Sequence, residues 1–331
     1  MPITVPESAV HVVVGVVADG ENVLVTKRPK ASHQGGKWEF PGGKVHAGES
    51  VRRALARELF EELGIEVHVA YPLIQISHAY TDRNVLLDVW RVTDFSGEPA
   101  GREGQPIQWV SQEQLTGLDF PDANRPIVQA ARLPSLYLIS DSRRFDRAGF
   151  IRRLERALVA GAPMLQLREP HLSSEDYRAL AREVVALCHQ YGARVLLNGE
   201  PQWVEECGAN GVHLNSRRLK QWQTRPLDAK YWVAASTHDA NELALAARAG
   251  VDFVVLSPVL PTTSHPQAVP LGWPRFQTLC TQVSVPVYAL GGLRAKHLER
   301  ARDAGAQGLA MISGVWDAPD MEEVIAAIRD A

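Results

Sequence analysis

The sequence predicts two domains of mixed helix and strand content, an α+β domain followed by an α/β domain that closes into a (β/α)8 barrel. Up to about residue 130, β-rich runs surround one strong amphipathic helix. From Leu136 onward, short apolar runs alternate with helical stretches eight times, as in parallel barrels. A length of 331 residues also fits two domains. We therefore predict domains at residues 1–133 and 134–331.

The predicted elements of the first domain are mainly strands around a single helix. Asp19-Gly20 separates the first two β-rich runs and is typical of a hairpin turn. The helical stretch has apolar residues at three- and four-residue steps, and Gly64 follows it, where a left-handed helix cap favours glycine. In chain order we predict strands at 10–17 and 22–26, a glycine-rich loop at 34–48, a helix at 50–63, and strands at 85–92 and 107–110.

The second domain is predicted from its repeated short strands. These runs are rich in Val, Ile and Leu on both faces, which is typical of buried parallel strands. Amphipathic helices lie between them, for example at 174–190, 239–249 and 294–304. The eight predicted strands are 136–140, 164–169, 194–198, 211–215, 232–236, 253–259, 286–291 and 308–313.

Composition and charge argue against several classes of protein. Apolar residues make up 45% and charged residues 22%, and 35 basic against 38 acidic side chains leave a net charge of -3. This balance favours neither a nucleic-acid-binding nor a membrane-binding surface. The N-terminal residues lack a secretory signal pattern, and three scattered cysteines without a CxxC pair argue against a disulfide framework or a zinc site. We expect a cytoplasmic protein with no nucleic-acid or membrane partner, and its oligomeric state stays open.

The strongest chemical signal is a group of carboxylates on the predicted helix. Glu58 lies three and four residues before Glu61 and Glu62, so the three side chains share one helix face, next to Arg57. A Glu-rich face is most often simply solvated, but like charges this close also favour a divalent cation, and oxygen ligands favour Mg²⁺ or Mn²⁺. Gly42-Gly43 in the preceding loop lets the backbone approach a metal or a phosphate closely.

The spacing of these residues is that of the Nudix box. Its specified positions are occupied by Gly43, Glu49, Arg57-Glu58-Leu59, Glu61-Glu62 and Gly64, a match that average residue usage almost never produces by chance. The first domain is therefore identified as a member of the Nudix hydrolase family. Residues 10–131 resemble its MutT type, the 8-oxo-dGTP diphosphatases, and segments 37–44, 101–106 and 120–126 extend the resemblance. It implies an α/β/α sandwich and Mg²⁺-dependent hydrolysis of 8-oxo-dGTP to 8-oxo-dGMP and diphosphate, a nucleotide-pool sanitation that avoids DNA damage.

The resemblance also implies roles for individual side chains. Glu58 is the leading candidate for the general base and Glu103 the second, since a carboxylate can accept the proton of an attacking water. Asn124 is implied to bind the oxidised base, because its amide both donates and accepts hydrogen bonds. The implied catalytic residues are Glu58, Arg57 and Glu103; the metal ligands are Gly42, Glu58, Glu61, Glu62 and Glu103; and the substrate-binding residues are Arg28, His33, Phe40, Arg83 and Asn124.

The second domain resembles thiamine phosphate synthase and its relative TenI, a thiazole tautomerase. Segments 166–169, 257–262 and 289–292 are among those that match this family in order, and the resemblance spans residues 136–329. Most matched segments end barrel strands, where active-site residues gather. The resemblance implies a ligand with a phosphate group, such as thiamine phosphate or thiazole phosphate. The implied ligand residues are Arg168, Asn198, Ser236, His238, Thr262, Gly291, Gly292, Ser313 and Gly314.

Several family positions differ in this sequence. The resemblance implies acidic metal ligands after the Asn of the third barrel strand and after the His-Leu of the fourth, where this chain has Gly199 and Arg218. Pro170 and His265 stand where the family has lysines. A Mg²⁺-diphosphate substrate would be held poorly without those charges, so we expect a degenerate barrel without thiamine phosphate synthase activity. His238 matches the proton-transfer position of TenI, which keeps tautomerase chemistry open.

Other functions stay open from the sequence. The fusion to a thiamine-type barrel suggests that the Nudix domain could instead hydrolyse a pyrophosphate of the thiamine pathway. The barrel could bind a ligand and regulate the hydrolase, or act as a thiazole tautomerase. Asn124 and its Pro-flanked loop favour oxidised guanine, so we expect a nucleoside triphosphate substrate with Mg²⁺ or Mn²⁺ as cofactor.

Overall fold

The chain divides between Leu133 and Pro134 into two units. The computed structural model describes residues 9–30, 34–79, 84–262 and 266–331. Within these ranges no helix has both the length and the apolar character needed to cross a membrane.

The first unit is a seven-stranded mixed sheet with helices packed on it. Its elements are β1 (Val10–Asp19), β2 (Asn22–Lys27), β3 (Trp38–Glu39), β4 (Gly42–Lys44), α1 (Val51–Leu63), β5 (Glu66–Ala79), β6 (Asn84–Ser96), β7 (Ile107–Ser111) and α2 (Arg125–Arg132). The main path of the sheet is β3-β2-β1-β6-β5, with β4 paired to β1 and β7 to β2. Strands β1 and β6 run parallel, and the other described pairs are antiparallel.

Both faces of this sheet are covered, because its central strand is apolar on both sides. Val13 of β1 is fully buried in a core that includes Leu59 of α1. Val14, the next residue, belongs to a second core that includes Ile127 of α2. Successive residues of a strand point to opposite faces, so α1 and α2 lie on opposite sides of the sheet. The α/β/α sandwich implied by the resemblance is confirmed.

Strand β5 is not predicted by the sequence pattern. Pro72 lies in its middle, and proline is normally absent from the interior of a sheet because it has no N–H to donate. β5 is an edge strand, and its pairing with β6 shifts register between Pro72 and Ile74. Edge and bulge positions leave a backbone donor unused, which is why this strand tolerates the proline.

Two further differences from the prediction lie beside the candidate site. The predicted glycine-rich loop at 34–48 contains β3 and β4, which are 2 and 3 residues long and too short to show a periodic pattern. Helix α2 has only 8 residues and carries Pro126 in its first turn. Proline is tolerated there, because the N–H groups of the first turn have no intrahelical partner.

The second unit is a closed barrel of parallel strands, as predicted. The strands are β8 (Leu136–Ile139), β9 (Met164–Leu167), β10 (Arg194–Leu197), β11 (Gly211–Leu214), β12 (Trp232–Thr237), β13 (Phe253–Leu256), β14 (Val287–Ala289) and β15 (Gly308–Met311). β8 pairs with both β9 and β15, which closes the barrel. The rings of Tyr137, Phe253 and Tyr288 lie 5.3 to 5.6 Å apart at its centre. The barrel interior is therefore a packed core.

Helices cover the outside of the barrel. They are α3 (Arg147–Val159), α4 (Ser174–Gln190), α5 (Trp203–Cys207), α6 (Ser216–Leu219), α7 (Ala240–Arg248), α8 (Gly272–Cys280), α9 (Leu298–Asp303), α10 (Ser313–Trp316) and α11 (Met321–Arg329). The predicted helix at 174–190 coincides with α4. The predicted strands at 253–259, 286–291 and 308–313 end sooner, at Leu256, Ala289 and Met311. The residues beyond these ends form the loops that carry the candidate ligand residues.

Candidate functional site

Helix α1 directs its carboxylates away from the core because its other face is buried. Ser50 caps the helix start, where its side chain accepts a hydrogen bond from the backbone N–H of Arg53. Gly64 ends the helix with a left-handed φ of 76°, as predicted. The fully buried residues of the inner face are Ala54, Leu55, Leu59 and Leu63. The spacing of these residues leaves positions 57, 58, 61 and 62 on the outer part of the helix.

Arg57 joins the carboxylates of the Nudix box. Its Nε and Nη2 donate to the two carboxylate oxygens of Glu49, at 3.0 and 2.9 Å. Its Nη1 donates to Oε1 of Glu58 at 2.8 Å and to Oε2 of Glu61 at 3.2 Å. Hydrogen bonds to Glu49 and Glu58 raise the pKa of Arg57, and the bonds from Arg57 lower the pKa of Glu49 to about 2. Arg57 is thus a fixed cation that sets the positions of three carboxylates.

Two glycines bring the backbone against the carboxylates. A Cβ on Gly43 would lie 2.3 Å from the carboxyl carbon of Glu58, so a larger residue would displace that side chain. The backbone N–H of Gly42 donates to Oε2 of Glu62 at 3.1 Å. A Cβ on Gly42 would lie 2.1 Å from the carbonyl oxygen of Val13 in the neighbouring strand. Both positions therefore need glycine for close approach.

Glu62 lies where several negative charges meet. Burial raises its pKa to about 8, although the hydrogen bond from Gly42 opposes the change. The charges of Glu39, Glu103 and Glu58 raise the pKa further. A carboxylate in this position is largely protonated at neutral pH unless a cation offsets its neighbours.

Glu39 is a member of this group that the sequence analysis missed. It ends β3 and forms an ion pair with Arg28. Burial raises the pKa of Glu39, while the charge and hydrogen bond of Arg28 lower it. Arg28, one of the implied substrate-binding residues, is therefore held beside the carboxylates. The only signal in the sequence was an acidic residue between Trp38 and Phe40, and a strand of 2 residues gives no pattern by which to interpret it.

Glu103 reaches the same group from the loop after β6. The backbone N–H of Arg102 donates to the carbonyl oxygen of Glu62 at 2.9 Å, and the side chain of Gln105 donates to that oxygen at 3.1 Å. The backbone N–H of Glu103 donates to Oε1 of Gln105 at 2.9 Å. These bonds fasten the loop to the end of α1, so Glu103 acts on Glu62 although the two are far apart in the sequence.

The donors of this group suit a hard divalent cation. Carboxylate oxygens are the protein ligands that Mg²⁺ and Mn²⁺ prefer, and a cation here would relieve the repulsion that raises the pKa of Glu62. Within the part of the chain that the structure describes, no three His, Cys, Asp or Glu side chains are gathered around one point as a metal site. Arg57 instead holds Glu58 and Glu61. The chemistry of this donor set fits the predicted cation.

The side chains implied in base binding come from the segment after β3 and the turn before α2. Phe40 is buried and stacks on Phe120, with ring centroids 5.3 Å apart. Asn124 immediately precedes α2, yet its side chain makes no capping hydrogen bond with that helix. Its amide is therefore not used in the capping role that Asn usually has at a helix start. His33 and Arg83 lie outside the described residues.

The implied ligand residues of the barrel lie at one end of it. Arg168 directly follows β9 and Asn198 directly follows β10. Because all the strands are parallel, their carboxyl ends meet at one mouth. The remaining residues are Ser236 near the end of β12, His238 after it, Thr262 after β13, Gly291 and Gly292 after β14, and Ser313 and Gly314 at the start of α10.

Buried polar side chains cross the barrel below this mouth. The side chain of Asn198 donates to Oε1 of Gln166 at 2.9 Å. Nδ1 of His213 lies 3.2 Å from the hydroxyl of Tyr137, and its Nε2 lies 2.8 Å from the hydroxyl of Ser236. Burial lowers the pKa of His213 to about 3, and the charge of Arg168 contributes. The neutral ring therefore accepts one hydrogen bond and donates the other, which orients the Ser236 hydroxyl at the mouth.

His238 is paired with a carboxylate. Its Nδ1 lies 2.8 Å from Oε2 of Glu242 and 3.1 Å from the hydroxyl of Ser216. Half of the His238 side chain is exposed. Asp239, not His238, caps α7 through its side chain. A carboxylate on Nδ1 leaves Nε2 to exchange a proton with a ligand.

The paired glycines after β14 are explained by loop packing. A Cβ on Gly292 would lie 2.3 Å from the carbonyl oxygen of Pro261, and one on Gly291 would lie 2.7 Å from Cβ of Pro258. Both glycines also have positive φ, 106° for Gly291 and 66° for Gly292. The loops after β13 and β14 touch at this point, so these glycines alone do not indicate a phosphate site.

Models of known protein families match both units. The model described as thiamine monophosphate synthase matches residues 136–315, more than half of the 331-residue chain. The model described as a NUDIX domain matches residues 12–130.

Individual relatives agree with these matches. The 8-oxo-dGTP diphosphatase of Escherichia coli is 38% identical over 119 residues, which are 36% of this chain and 92% of that protein. The thiamine-phosphate synthase of Thioalkalivibrio sulfidiphilus is 32% identical over 193 residues, 58% of this chain and 92% of that protein. The solved structure of a thiamine phosphate pyrophosphorylase from Pyrococcus furiosus covers 59% of this chain and 94% of its own, with a TM-score of 0.50 and 22% identity, and so supports the barrel fold.

Proposed function

Since the chain belongs to the Nudix family through its first unit and to the thiamine monophosphate synthase family through its second, we propose that it hydrolyses 8-oxo-dGTP to 8-oxo-dGMP and diphosphate. The coarser activity, hydrolysis of an acid anhydride, follows from the Nudix membership. The observation that supports the proposal most is the carboxylate group around Glu62, whose pKa burial and neighbouring charges raise to about 8. This activity would remove oxidised guanine nucleotides before DNA replication uses them.

Glu58 and Glu62 would hold Mg²⁺, with Glu61, Glu103 and the backbone of Gly42 as further ligands. When bound, Mg²⁺ offsets the charge of the triphosphate and lowers the pKa of a coordinated water. Mn²⁺ has the same preference for oxygen ligands and would substitute for it.

Glu58 is our candidate for the group that accepts a proton from the attacking water. Arg57 holds one of its oxygens at 2.8 Å, and Gly43 allows the carboxyl group to lie directly against the backbone. Glu103, on an exposed loop, is the second candidate. A carboxylate whose position is already set loses little orientational freedom when the water binds.

Asn124 is our candidate for recognition of the base. Oxidation gives guanine a proton on N7 beside the O6 acceptor, and an amide can accept from the first and donate to the second. The Asn124 side chain does not cap α2. Phe40 is remote from Asn124 in the sequence, but it stacks on Phe120, which lies four residues before Asn124. Arg28, His33 and Arg83 are the proposed contacts to the sugar and phosphates.

The test is Mg²⁺-dependent diphosphate release from 8-oxo-dGTP, dGTP and thiamine-pathway pyrophosphates, compared as kcat/KM. We expect 8-oxo-dGTP to be preferred over dGTP by at least about 100-fold, because a site built on hydrogen bonds rejects a base that leaves its polar groups unpaired. Asn124→Ala should reduce the preference at least tenfold. Asp122→Ala, an exposed change in the same turn, should leave it within twofold. A preference for a thiamine-pathway pyrophosphate, or an unchanged ratio in Asn124→Ala, would overturn the base assignment.

A second function is proposed for the barrel, which we infer binds a small phosphate-bearing ligand of the thiamine pathway. The His238–Glu242 pair, at 2.8 Å, specifically favours a thiazole tautomerase among these functions. Interconversion of thiazole phosphate tautomers by the full chain, followed by NMR, should be lost in His238→Asn and keep its rate in His189→Asn, a change on the outer helix α4. Stabilisation of the full chain by thiazole phosphate without interconversion would instead support a binding or regulatory module.

A further inference from the structure

The mouth of the barrel contains an ion pair at the position where the resemblance implies a metal. Gly199 follows the third barrel strand β10, and Arg218 lies in α6, after the fourth strand β11. Nε of Arg218 donates to Oε1 of Glu200 at 2.9 Å. The two implied acidic ligands are thus absent, and a guanidinium lies between the loops that would carry them.

A carboxylate at position 199 would also have no room. A Cβ on Gly199 would lie 2.7 Å from Cε3 and 3.0 Å from Cζ3 of the Trp203 ring. Trp203 is held in place by the ring of Tyr177, at 5.5 Å between centroids, and by the guanidinium of Arg178, at 5.9 Å. The indole is therefore fixed packing, and it fills the space of the missing side chain.

Acidic side chains near the described strand ends already have partners. Glu169 is buried and accepts hydrogen bonds from the hydroxyls of Ser140 and Ser142. Glu200 is neutralised by Arg218. Asp141 pairs with Arg143 and Arg144, and Glu242 with His238. A divalent cation would have to displace one of these partners to gain a ligand.

Arg218 keeps hydrogen-bond donors for a ligand. Its Nε is used by Glu200, its backbone N–H by the side chain of Asn215, and its side chain is 24% exposed. For the residues that the structure describes, neither terminal nitrogen of Arg218 makes a hydrogen bond, and no carboxylate pairs with Arg168. Two terminal nitrogens in one plane match two oxygens of a phosphate.

We infer that the barrel binds a phosphate monoester without a divalent cation, and that Arg218, oriented by Glu200, takes the place of that cation. The inference rests on the proposed phosphate-ligand role of the barrel and adds how the charge is neutralised. It also accounts for the absence of both implied acidic ligands, since a guanidinium and a carboxylate-bound metal cannot share the space.

The test uses the full chain with Glu58→Gln, Glu61→Gln, Glu62→Gln and Glu103→Gln, which remove the proposed carboxylate metal ligands of the first unit. Inorganic phosphate is titrated into this chain by calorimetry, in EDTA and in Mg²⁺. We expect dissociation constants that agree within twofold. Arg218→Gln should weaken binding at least tenfold in both conditions, and Arg217→Gln, its exposed neighbour, should leave it unchanged. Binding at least tenfold tighter in Mg²⁺, or equal binding in the Arg218 and Arg217 variants, would overturn the inference.

Mn²⁺ binding separates this inference from the proposed ligand role. The fraction of free Mn²⁺, measured by electron paramagnetic resonance, should show no bound ion in the four-site variant, with or without phosphate. One bound ion would overturn the inference even if phosphate also binds. Absence of phosphate binding in every condition would refute the ligand role, and the Mn²⁺ count would still decide whether the mouth excludes a cation.

A gain of metal binding provides the converse test. Gly199→Asp alone should bind no Mn²⁺, because Trp203 and Arg218 remain. Gly199→Asp with Trp203→Ala and Arg218→Asp, once its circular dichroism shows a folded chain, should bind one ion. A folded variant that binds none would show that these residues do not cause the exclusion.

Discussion

The two units of this protein collect opposite charges at the sites that we propose for phosphate-bearing ligands. Around α1 the structure brings together Glu39, Glu58, Glu62 and Glu103, and burial, with a smaller contribution from their repulsion, raises the pKa of Glu62 to about 8. At the barrel mouth, Asp141 and Glu200 are paired with arginines, and among the described residues nothing hydrogen-bonds the terminal nitrogens of Arg218. Phosphate groups can be neutralised through a divalent cation held by carboxylates or directly by arginine.

The comparison shows that a phosphate site cannot be identified from glycines alone. Gly42 and Gly43 lie against two carboxylates, whereas Gly291 and Gly292 lie against the carbonyl and ring of a neighbouring loop. Both pairs of glycines allow a close approach, by carboxylates in the first unit and by a neighbouring loop in the second. The charge of the surrounding side chains decides which kind of site each pair can serve.

The largest expected effect comes from removing a carboxylate of the first unit. Glu58→Gln removes both the proposed base and a proposed ligand, so kcat/KM for the nucleotide should fall by about 1,000-fold or more, a loss of roughly 4 kcal/mol in transition-state stabilisation. Glu61→Gln should cost less than tenfold, because this side chain is 54% exposed and shares Arg57 with two others. Diphosphate release measures both. Equal losses in the two variants would contradict the roles assigned to them.

The next effect tests whether Arg57 organises the carboxylates. Arg57→Ala should lower kcat by about 100-fold, on the scale of other losses of catalytic positioning, because Glu49, Glu58 and Glu61 lose a common partner. Arg57→Lys should restore little, since an ammonium cannot bridge three carboxylates in the same geometry. Arg53→Ala, an exposed change on the same helix, is the control. Full activity in Arg57→Lys would show that only the charge matters.

The next prediction concerns the contribution of the buried His213 to the stability of the barrel. His213→Phe leaves the hydroxyls of Tyr137 and Ser236 without their partner, and should destabilise the barrel by about 1–3 kcal/mol. The pKa of His213 is lowered to about 3 by burial, so the native state binds fewer protons than the unfolded state between about pH 3 and 6.5. Its stabilising contribution is present above pH 6.5 and is lost as the pH falls toward 3.

Calorimetric unfolding of the full chain at several pH values measures this effect. In His213→Phe one unfolding transition should have a lower midpoint temperature at pH 7. The fall of this midpoint temperature between pH 6.5 and 4 should be shallower than in the parent chain. Ser236→Ala, which removes one of the two hydrogen bonds, should give a smaller shift. An unchanged acid dependence in His213→Phe would contradict a neutral buried ring.

The last effect is the opposite pH dependence of the first unit. The pKa of Glu62 is raised to about 8, so the native state keeps a proton that the unfolded state releases near pH 4.5. The stabilisation is present below pH 4.5 and is lost as the pH rises through 8, with a slope under about 1.4 kcal/mol per pH unit, the limit for one proton.

Glu62→Gln isolates this contribution in EDTA. The variant cannot release a proton, so its stability between pH 5 and 8 should fall less steeply than that of the parent chain, as measured by urea unfolding. Glu66→Gln, an exposed change just beyond α1, should leave the slope as it is. A parent chain whose stability rises over this range, relative to Glu62→Gln, would contradict the raised pKa.

Local patterns were enough to predict α1 and the barrel. The apolar steps of α1, its Ser50 cap and Gly64 are all contained within one short segment, and the helix ends where predicted. The barrel strands are apolar on both faces because both faces are buried, and this shows in each strand separately. β5 was missed because Pro72 argues against a strand, and only its place at the sheet edge makes the proline acceptable.

The sequence by itself determined which chemical groups this protein has and how far apart they lie along each helix and loop. The spacing of Arg57, Glu58, Glu61 and Glu62 places them together on one helix, whatever the rest of the chain does. The tertiary structure alone decided that Glu39 and Glu103 join them and that Trp203 covers Gly199. Desolvation and charge repulsion depend on distances in space, and these contacts link segments that are remote in the sequence, so no local pattern could reveal them.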